Sequence, residues 1–172
     1  MTRSFTRANV LALSLSWLVV SSVATEARVP VNAERMRQLI EVNQRVNTTI
    51  TEVTDLEQYG REDVWRIPTS GKGDCEDFAL LKRHMLIQRG WRASALQIAV
   101  VLTKDGEPHA VLVVDTDQGL LALDNKAGTI RPISETGYTV VSMQSRQSPG
   151  KWVSATTGEE TARPTVDLPI RR

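Results

Sequence analysis

At residues 71–80 the chain reads GKGDCEDFAL, and Cys75 within this stretch is the only cysteine among 172 residues. The glycine-rich part predicts a turn, and the residues from Asp74 or Cys75 onward predict the start of a helix. Free backbone N–H groups and the positive end of the helix dipole favour a thiolate at such a position. Cys75 is therefore the candidate nucleophile.

The N-terminal residues predict an exported protein. Arg3 and Arg7 are followed by an apolar run over residues 10–20, and Ser22-Val23-Ala24 offers small residues for cleavage. This pattern is typical of a signal peptide, here residues 1–24, and the alternative is an uncleaved N-terminal anchor. Exported domains generally pair their cysteines in disulfides, and a single cysteine cannot close an intramolecular bridge.

Length and composition predict one compact domain over residues 25–153. Hydrophobic residues make up 41% of the chain and charged residues 24%, as in ordinary globular proteins. The net charge of +1 gives no reason to expect a nucleic-acid partner. The polar segment 154–172, which carries two prolines, is predicted to be a disordered tail.

The order of the predicted elements indicates an α+β fold. Apolar residues on one face predict a helix from Asn32, its cap, to Ile50, and a second helix runs from the nucleophile to Arg89. Apolar, β-branched runs then predict strands at Leu96–Leu102, Ala110–Val114, Leu120–Leu123, Thr139–Met143 and Trp152–Val153. The expected architecture is N-terminal helices, with the nucleophile at a helix N-terminus, packed on an antiparallel sheet.

A thiol nucleophile needs a base, and the chain has two histidines. His84 lies nine residues after Cys75 on the same helix, which places it about 13 Å along the axis and on the opposite face. His84 is therefore predicted to be a helix-surface residue. His109, at the start of the second strand, is the remaining candidate base.

Asp124, at the end of the third strand, is the candidate group that orients the base. If the hairpin turns at Asp117-Gln118, the numbers of two residues paired across the strands add up to 235. Val111 then pairs with Asp124, and His109, two residues before Val111, is the diagonal neighbour of Asp124 on the same sheet face. Diagonal pairs lie roughly 7 Å apart, within reach of a His–Asp hydrogen bond. A three-residue loop with a left-handed Gly119 would instead place the two residues on opposite faces, unless a bulge restored the register.

Three acidic residues surround the candidate nucleophile, namely Asp74, Glu76 and Asp77. Their charges would raise the pKa of the neighbouring thiol. One interpretation is that Asp74 caps the helix and that the other two are ordinary first-turn acids. The other is a Ca²⁺ site, because three carboxylates beside a loop that can supply carbonyl oxygens suit this ion.

Three segments together carry a family resemblance: GDCEDFA at residues 73–79, PHAVL at 108–112 and LALDN at 121–125. In this order they resemble the bacterial transglutaminase-like cysteine proteinases, either the LapG-type periplasmic adhesin proteases or a sister branch. The resemblance covers residues 36–153. It implies a papain/transglutaminase-like fold and a Cys75–His109–Asp124 catalytic triad.

The resemblance also implies a cofactor, partners and a location. Calcium is expected beside the nucleophile, at Asp74, Glu76 and Asp77. The protease is expected in the periplasm. Its expected substrate is a large surface adhesin, whose cleavage releases cells from a biofilm. An inner-membrane receptor can sequester such a protease. Papain-like sites need a second oxyanion donor besides the nucleophile's own N–H, and the Trp65 indole is the candidate.

Two other functions remain open at this point. The same thioester chemistry would serve an amidase or a transglutaminase-type acyl transferase. A non-catalytic calcium-binding adaptor domain could keep the fold without turnover. The complete set of Cys75, His109 and Asp124 favours the peptidase over the adaptor.

Overall fold

A computed structural model describes residues 27–162 of the 172-residue chain, so the predicted signal peptide and the last ten residues lie outside the described part. The helices are α1 (Ala33–Thr49), α2 (Asp55–Tyr59) and α3 (Cys75–Gln88), with 3₁₀ turns at Ala93–Ala95 and Ile133–Glu135. The strands are β1 (Thr51–Glu52), β2 (Lys72–Gly73), β3 (Leu96–Leu102), β4 (Pro108–Thr116), β5 (Gly119–Leu123), β6 (Arg131–Pro132), β7 (Thr139–Gln144), β8 (Trp152–Ser154) and β9 (Glu160–Thr161).

Both predicted long helices are confirmed. The Asn32 side chain accepts a hydrogen bond from the Arg35 N–H (2.9 Å) and so caps α1. Helix α3 starts at Cys75 and is followed by Gly90, whose φ of 82° is the left-handed conformation that ends many helices. None of the helices within residues 27–162 combines the length and the apolar character that a bilayer span requires.

Seven strands form one antiparallel sheet in the order β6-β5-β4-β3-β7-β8-β9. The main core lies between this sheet and helices α1 and α3. It contains Leu39, Val42 and Val46 of α1, Phe78 and Leu86 of α3, and Leu96, Ile98, Leu112, Val114, Leu121 and Leu123 of the sheet. A smaller cluster on the opposite face contains Ala99, Val101, Val111, Val113, Ala122 and Ile133. The α+β prediction is therefore confirmed.

The predicted disordered tail is wrong in its first part. Ser154 belongs to β8, and β9 pairs with β8 through Val153↔Glu160. The Glu160 carboxylate also accepts hydrogen bonds from Ser145 (3.1 Å) and Lys151 (2.9 Å). Polar composition suggested disorder, but these partners attach the segment to the sheet through its polar atoms.

A short parallel ladder precedes the nucleophile and was not predicted. Thr51 pairs with Lys72 and Glu52 with Gly73, and the Val53 N–H donates to the Gly73 carbonyl (3.0 Å). Gly73 lies directly against Asp77, the third residue of α3. A methyl group on Gly73 would stand 2.7 Å from Asp77 Cβ and 2.6 Å from Oδ2, closer than real side chains approach.

We expect Gly73→Ala to lower the free energy of unfolding by about 1–3 kcal/mol, because the new methyl group forces Asp77 or the β2 backbone to move. Gly128→Ala is the matched control, since a Cβ at Gly128 meets open space. Urea unfolding of both variants measures the difference. Equal unfolding midpoints for Gly73→Ala and the wild type would show that the contact with Asp77 is not restrictive.

Candidate active site

The hairpin of β4 and β5 has the register that brings His109 and Asp124 to the same face. Leu112 pairs with Leu123, and Thr116 pairs with Gly119, so paired numbers add up to 235 as expected for a turn at Asp117-Gln118. Gly119 has a positive φ of 105°, yet it pairs directly with Thr116 and leaves a two-residue loop. The alternative three-residue loop is not formed.

His109 and Asp124 form a buried hydrogen-bonded pair. His109 Nε2 lies 2.8 Å from Asp124 Oδ1, and the two residues are 2% and 3% exposed. A carboxylate only accepts hydrogen bonds, so Nε2 carries the proton and donates it to Asp124. Nδ1 of His109 is then the lone-pair nitrogen, and it is buried without a hydrogen-bond partner within residues 27–162. This nitrogen is the atom that can take a proton from a thiol.

Three donors hold the Asp124 carboxylate. Besides His109, the Lys126 N–H donates to Oδ1 (2.9 Å) and the Tyr138 hydroxyl donates to Oδ2 (2.7 Å). Burial acts to raise the pKa of Asp124, but the hydrogen bonds from these three groups outweigh it and lower that pKa below the usual value. Burial and Asp124 together raise the pKa of Tyr138 to about 12, so its hydroxyl stays protonated as a donor.

Cys75 is the first residue of α3 and is half-buried. Its Sγ donates to Glu76 Oε2 (3.3 Å), and the Ala110 backbone N–H donates toward the sulfur. Since Ala110 directly follows His109 in β4, the thiol lies beside the strand that carries the candidate base. Burial, and then the charge of Glu76, raise the pKa of the Cys75 thiol, which favours the neutral form in the absence of a cation.

An acidic cluster lies next to the thiol, but its members differ from the predicted set. One carboxylate oxygen each from Asp55, Asp74 and Glu76 lies within 4.8 Å of the others. The parallel pairing of β1 with β2 brings Asp55, at the start of α2, to Asp74, which follows β2. Asp74 and Glu76 are therefore placed as expected, whereas Asp55 was not predicted.

Asp77 was predicted as a third metal ligand, but the structure groups Asp55, and not Asp77, with Asp74 and Glu76. A metal role of Asp77 stays a prediction. Its Oδ1 accepts a hydrogen bond from the Arg66 N–H (2.9 Å), and its side chain packs against Gly73. Burial raises the pKa of Asp77 to about 6, although the Arg66 N–H opposes the shift. Asp77 therefore joins the segment before β2 to α3 and does not complete the cluster.

The acidic cluster fits a hard divalent cation. Asp74 occupies the N-cap of α3, but its side chain makes no capping hydrogen bond, so the simple capping interpretation does not hold. Buried oxygens of Asp55 and Asp74 have no hydrogen-bond partner within residues 27–162. Burial, then Glu76 and Asp55, raise the pKa of Asp74 to about 8. Ca²⁺ prefers oxygen ligands such as carboxylates, so these closely spaced carboxylate oxygens suit the ion.

The remaining residues considered from the sequence are Trp65 and His84. The Trp65 indole N–H donates to Asp63 Oδ1 (2.7 Å), and the ring packs edge-on against Trp152 with centroids 5.5 Å apart. The predicted oxyanion role of Trp65 stays a prediction, with its donor directed to Asp63 in this structure. His84 is exposed, as expected for a residue on the helix surface.

Three residues of this region were not predicted from the sequence. They are Asp55, Tyr138 and the fully buried Lys82 of α3, which is 1% exposed. Asp55 and Tyr138 are distant in sequence from the residues they meet, so spacing gives no signal for them. Lys82 does offer a signal, since it stands seven residues after Cys75 and therefore on the same side of α3.

Comparison with known proteins bears on the family and the fold of the chain. The sequence matches the family described as bacterial transglutaminase-like cysteine proteinase (BTLCP) over residues 19–160. Calcium-bound LapG of Legionella pneumophila has a similar structure, with a TM-score of 0.61, 26% identity, and coverage of 76% of this chain and 75% of LapG. EGTA-treated LapG gives a TM-score of 0.62 and 26% identity over 74% and 72% of the two chains. No curated protein matches the sequence at a significant level.

The family match includes the nucleophile segment, both strands that carry the His109–Asp124 pair, and the helices that cover the sheet. The structural match to LapG confirms the expected fold. The chain belongs to the bacterial transglutaminase-like cysteine proteinase family, has a transglutaminase-like fold, and is a cysteine peptidase.

Proposed function

We propose that this cysteine peptidase uses a Cys75–His109–Asp124 triad, requires Ca²⁺, and acts on a protein at the cell surface or in the periplasm. The observation that carries the triad is the buried His109–Asp124 hydrogen bond, which leaves Nδ1 of His109 unpartnered within residues 27–162. The Cys75 sulfur lies against the next residue of the same strand, Ala110. His109, the proposed base, thus has its orienting group Asp124 in place and keeps Nδ1 available to accept a proton.

In the proposed acylation step, His109 Nδ1 accepts the Cys75 thiol proton as the sulfur attacks the carbonyl carbon of the scissile peptide bond. The carbonyl π electrons move to oxygen and form a tetrahedral oxyanion. When the oxyanion collapses, the C–N bond breaks and the amine leaves with the proton from His109. The product of this step is a thioester between Cys75 and the acyl half of the substrate.

In the deacylation step, His109 takes a proton from water, and the hydroxide attacks the thioester carbonyl. The C–S bond then breaks, the acid is released, and Cys75 regains its proton. Each oxyanion is stabilised by the Cys75 N–H, since the first N–H groups of a helix have no intrahelical acceptor. A second donor comes from the segment before the nucleophile, for which Trp65 is the proposed residue after reorientation of its indole.

The calcium requirement is supported by the acidic cluster and by the calcium-bound and EGTA-treated forms of LapG. Asp55, Asp74 and Glu76 would hold the ion. Bound Ca²⁺ would supply positive charge beside the thiol and offset the Glu76 carboxylate, which raises the pKa of Cys75. The cysteine proton would then be available to His109.

The N-terminal pattern supports the proposed location, and the resemblance to LapG-type proteases supports the proposed substrate. A positively charged start and an apolar run support export to the periplasm. The likeness to LapG-type proteases supports a large surface adhesin as substrate and an inner-membrane receptor as a sequestering partner. Incubation with purified adhesin fragments and mass spectrometry of the products tests this choice, and uncut adhesin under calcium-replete conditions would refute it.

We expect Cys75→Ser and His109→Ala each to lower kcat by at least about 10⁴-fold, because both side chains take part in thioester formation. Peptide hydrolysis is measured together with thermal unfolding, which we expect to change little for Cys75→Ser. His84→Ala is the matched control, since it removes the other histidine from an exposed position. Substantial hydrolysis by Cys75→Ser would refute the assignment of the nucleophile.

We expect Asp124→Asn to lower kcat by about one to three orders of magnitude, less than Cys75→Ser, because Asp124 orients the base and does not react. Tyr138→Phe removes one of the donors to Asp124 and should lower kcat by a smaller factor, about tenfold. Steady-state kinetics of both variants give the ranking. A Tyr138→Phe loss larger than that of Asp124→Asn would contradict the role of Tyr138 as a donor to this carboxylate.

We expect Asp55→Asn and Asp74→Asn to abolish Ca²⁺ binding in calorimetry, whereas Asp77→Asn should keep it because Asp77 lies outside the cluster. In the wild type, Ca²⁺ at about a hundredfold over its Kd should raise the free energy of unfolding by roughly 2.7 kcal/mol. Asp105→Asn, in an exposed turn, is the control. A wild-type protein that binds no Ca²⁺ would end the metal proposal.

A further inference from the structure

Two asparagines lie on one side of α1, among the apolar residues that pack on the sheet. Asn43 is fully buried, as are its neighbours Val42 and Val46, and the half-buried Asn47 follows one helical turn later. A buried amide costs free energy unless its polar atoms are paired, so an apolar side chain would serve packing alone better. The two side chains therefore call for hydrogen-bond partners outside the helix.

Those partners are carbonyl groups of the loop at residues 124–127, which directly follows β5. Asn47 Nδ2 donates to the Asp124 carbonyl (2.8 Å) and to the Ala127 carbonyl (3.4 Å), and Asn43 Nδ2 also donates to Ala127 (3.2 Å). Within residues 27–162 the amide oxygens of both asparagines are buried without a hydrogen-bond partner. The side-chain hydrogen bonds that the structure gives these two residues thus all go to the 124–127 loop.

The 124–127 loop also sets the direction of the Asp124 carboxylate. The Lys126 N–H donates to Asp124 Oδ1 (2.9 Å), which closes a short turn around this side chain. The same oxygen accepts the hydrogen bond from His109 Nε2 (2.8 Å). Because the carboxylate is attached to a backbone that Asn47 binds, a displacement of the Asp124 carbonyl would move the carboxylate relative to the imidazole ring. Helix α1 therefore reaches the His109–Asp124 pair through one backbone group.

We propose that Asn47 is a positioning residue for the reaction: its amide holds the Asp124 backbone so that the carboxylate stays directed at His109. Asn43 fastens the far end of the loop at Ala127. The inference rests on the proposed triad, in which Asp124 keeps the proton of His109 on Nε2 and leaves Nδ1 for the thiol. Asn47 acts through Asp124 and not on the reacting atoms.

Nuclear magnetic resonance of isotope-labelled histidine rings tests this coupling without an assay of activity. The chain has two histidines, and the exposed His84 is the internal reference. At a pH where both rings are neutral, we expect the wild-type His109 to carry its proton on Nε2. In Asn47→Ala a measurable fraction with the proton on Nδ1 should appear, while His84 stays unchanged. Identical His109 tautomer populations in the two proteins would overturn the proposal.

A measurement on the wild type needs no variant. The Asn47 side-chain amide protons should exchange slowly with water, because the Asp124 and Ala127 carbonyls accept hydrogen bonds from this amide. Exchange as fast as that of the exposed Gln44 amide on the same helix would overturn the proposal. This result decides even if Asn47→Ala does not fold.

Kinetics of Asn47→Ala test the consequence for the reaction. Alanine favours the helix, so α1 keeps its backbone and loses only the amide. We expect kcat to fall about tenfold, as for the loss of one buried hydrogen bond, and KM to stay unchanged. In Asp124→Asn the same change should have no further effect on kcat, because Asn47 acts through that residue. Gln44→Ala, which removes an exposed amide from the same helix, is the matched control and should keep the wild-type kcat.

Wild-type kcat in Asn47→Ala, or an additive loss in the double variant with Asp124→Asn, would overturn the proposal. A lower melting temperature with unchanged kcat and an unchanged His109 tautomer would assign Asn47 a purely structural role and would overturn it as well. Failure of the triad is distinguishable from these outcomes. Hydrolysis by Cys75→Ser would refute the triad, whereas the His109 tautomer reports the coupling to α1 in an inactive protein too.

Discussion

The register of the β4–β5 hairpin is the constraint on which the site depends. Side chains alternate between the two faces of a strand, so a slip by one residue would carry Asp124 to the helix side and leave His109 behind. The packing on both faces prevents such a slip. Leu112 and Leu123 fill the core under the helices, while Val111 and Ala122 fill the cluster on the opposite face. The hydrophobic core thereby fixes the distance between the two side chains of the proposed His109–Asp124 pair.

The electrostatics of the site differ between the start of α3, which carries Cys75, and the end of β5, where Asp124 follows the strand. Acidic groups gather at the start of α3, where Glu76 and then Asp74 disfavour a thiolate at Cys75. Around Asp124, by contrast, hydrogen-bond donors favour the ionised form. The acidic cluster thus lacks positive charge, whereas the Asp124 carboxylate is well supplied with donors. A cation at the acidic cluster, as we propose, would supply the positive charge that this part of the site lacks.

The sequence predicted those parts of the site that depend on local patterns. Helix α1 and the start of α3 could be derived from a cap, periodicity and the glycine-rich turn. For the β4–β5 hairpin the sequence left a two-residue turn and a three-residue loop open, and the structure has the two-residue turn that brings His109 to Asp124. Asp55 could not be derived, since it reaches Asp74 only through a two-residue parallel ladder whose residues carry no strand pattern.

Tertiary packing decided the remaining cases. Tyr138 precedes β7, a strand that pairs with β3 and not with β5, so no hairpin rule connects it to Asp124. Asp77 lies close to the cluster in sequence. Its side chain, however, packs against Gly73 and accepts a hydrogen bond from the Arg66 N–H. The prolines of the C-terminal segment suggested disorder, although residues 160–161 add a strand to the sheet.

The strand at one border of the sheet has a consequence for self-association. Strand β6 consists of Arg131 and Pro132 alone, and it pairs with β5 through Leu121↔Pro132 and Ala122↔Arg131. A proline lacks the N–H that a further strand would need, and an arginine charge resists close stacking against a copy of the chain. This border therefore offers almost no template for edge-to-edge growth, and pairing of another extended chain with β6 is disfavoured.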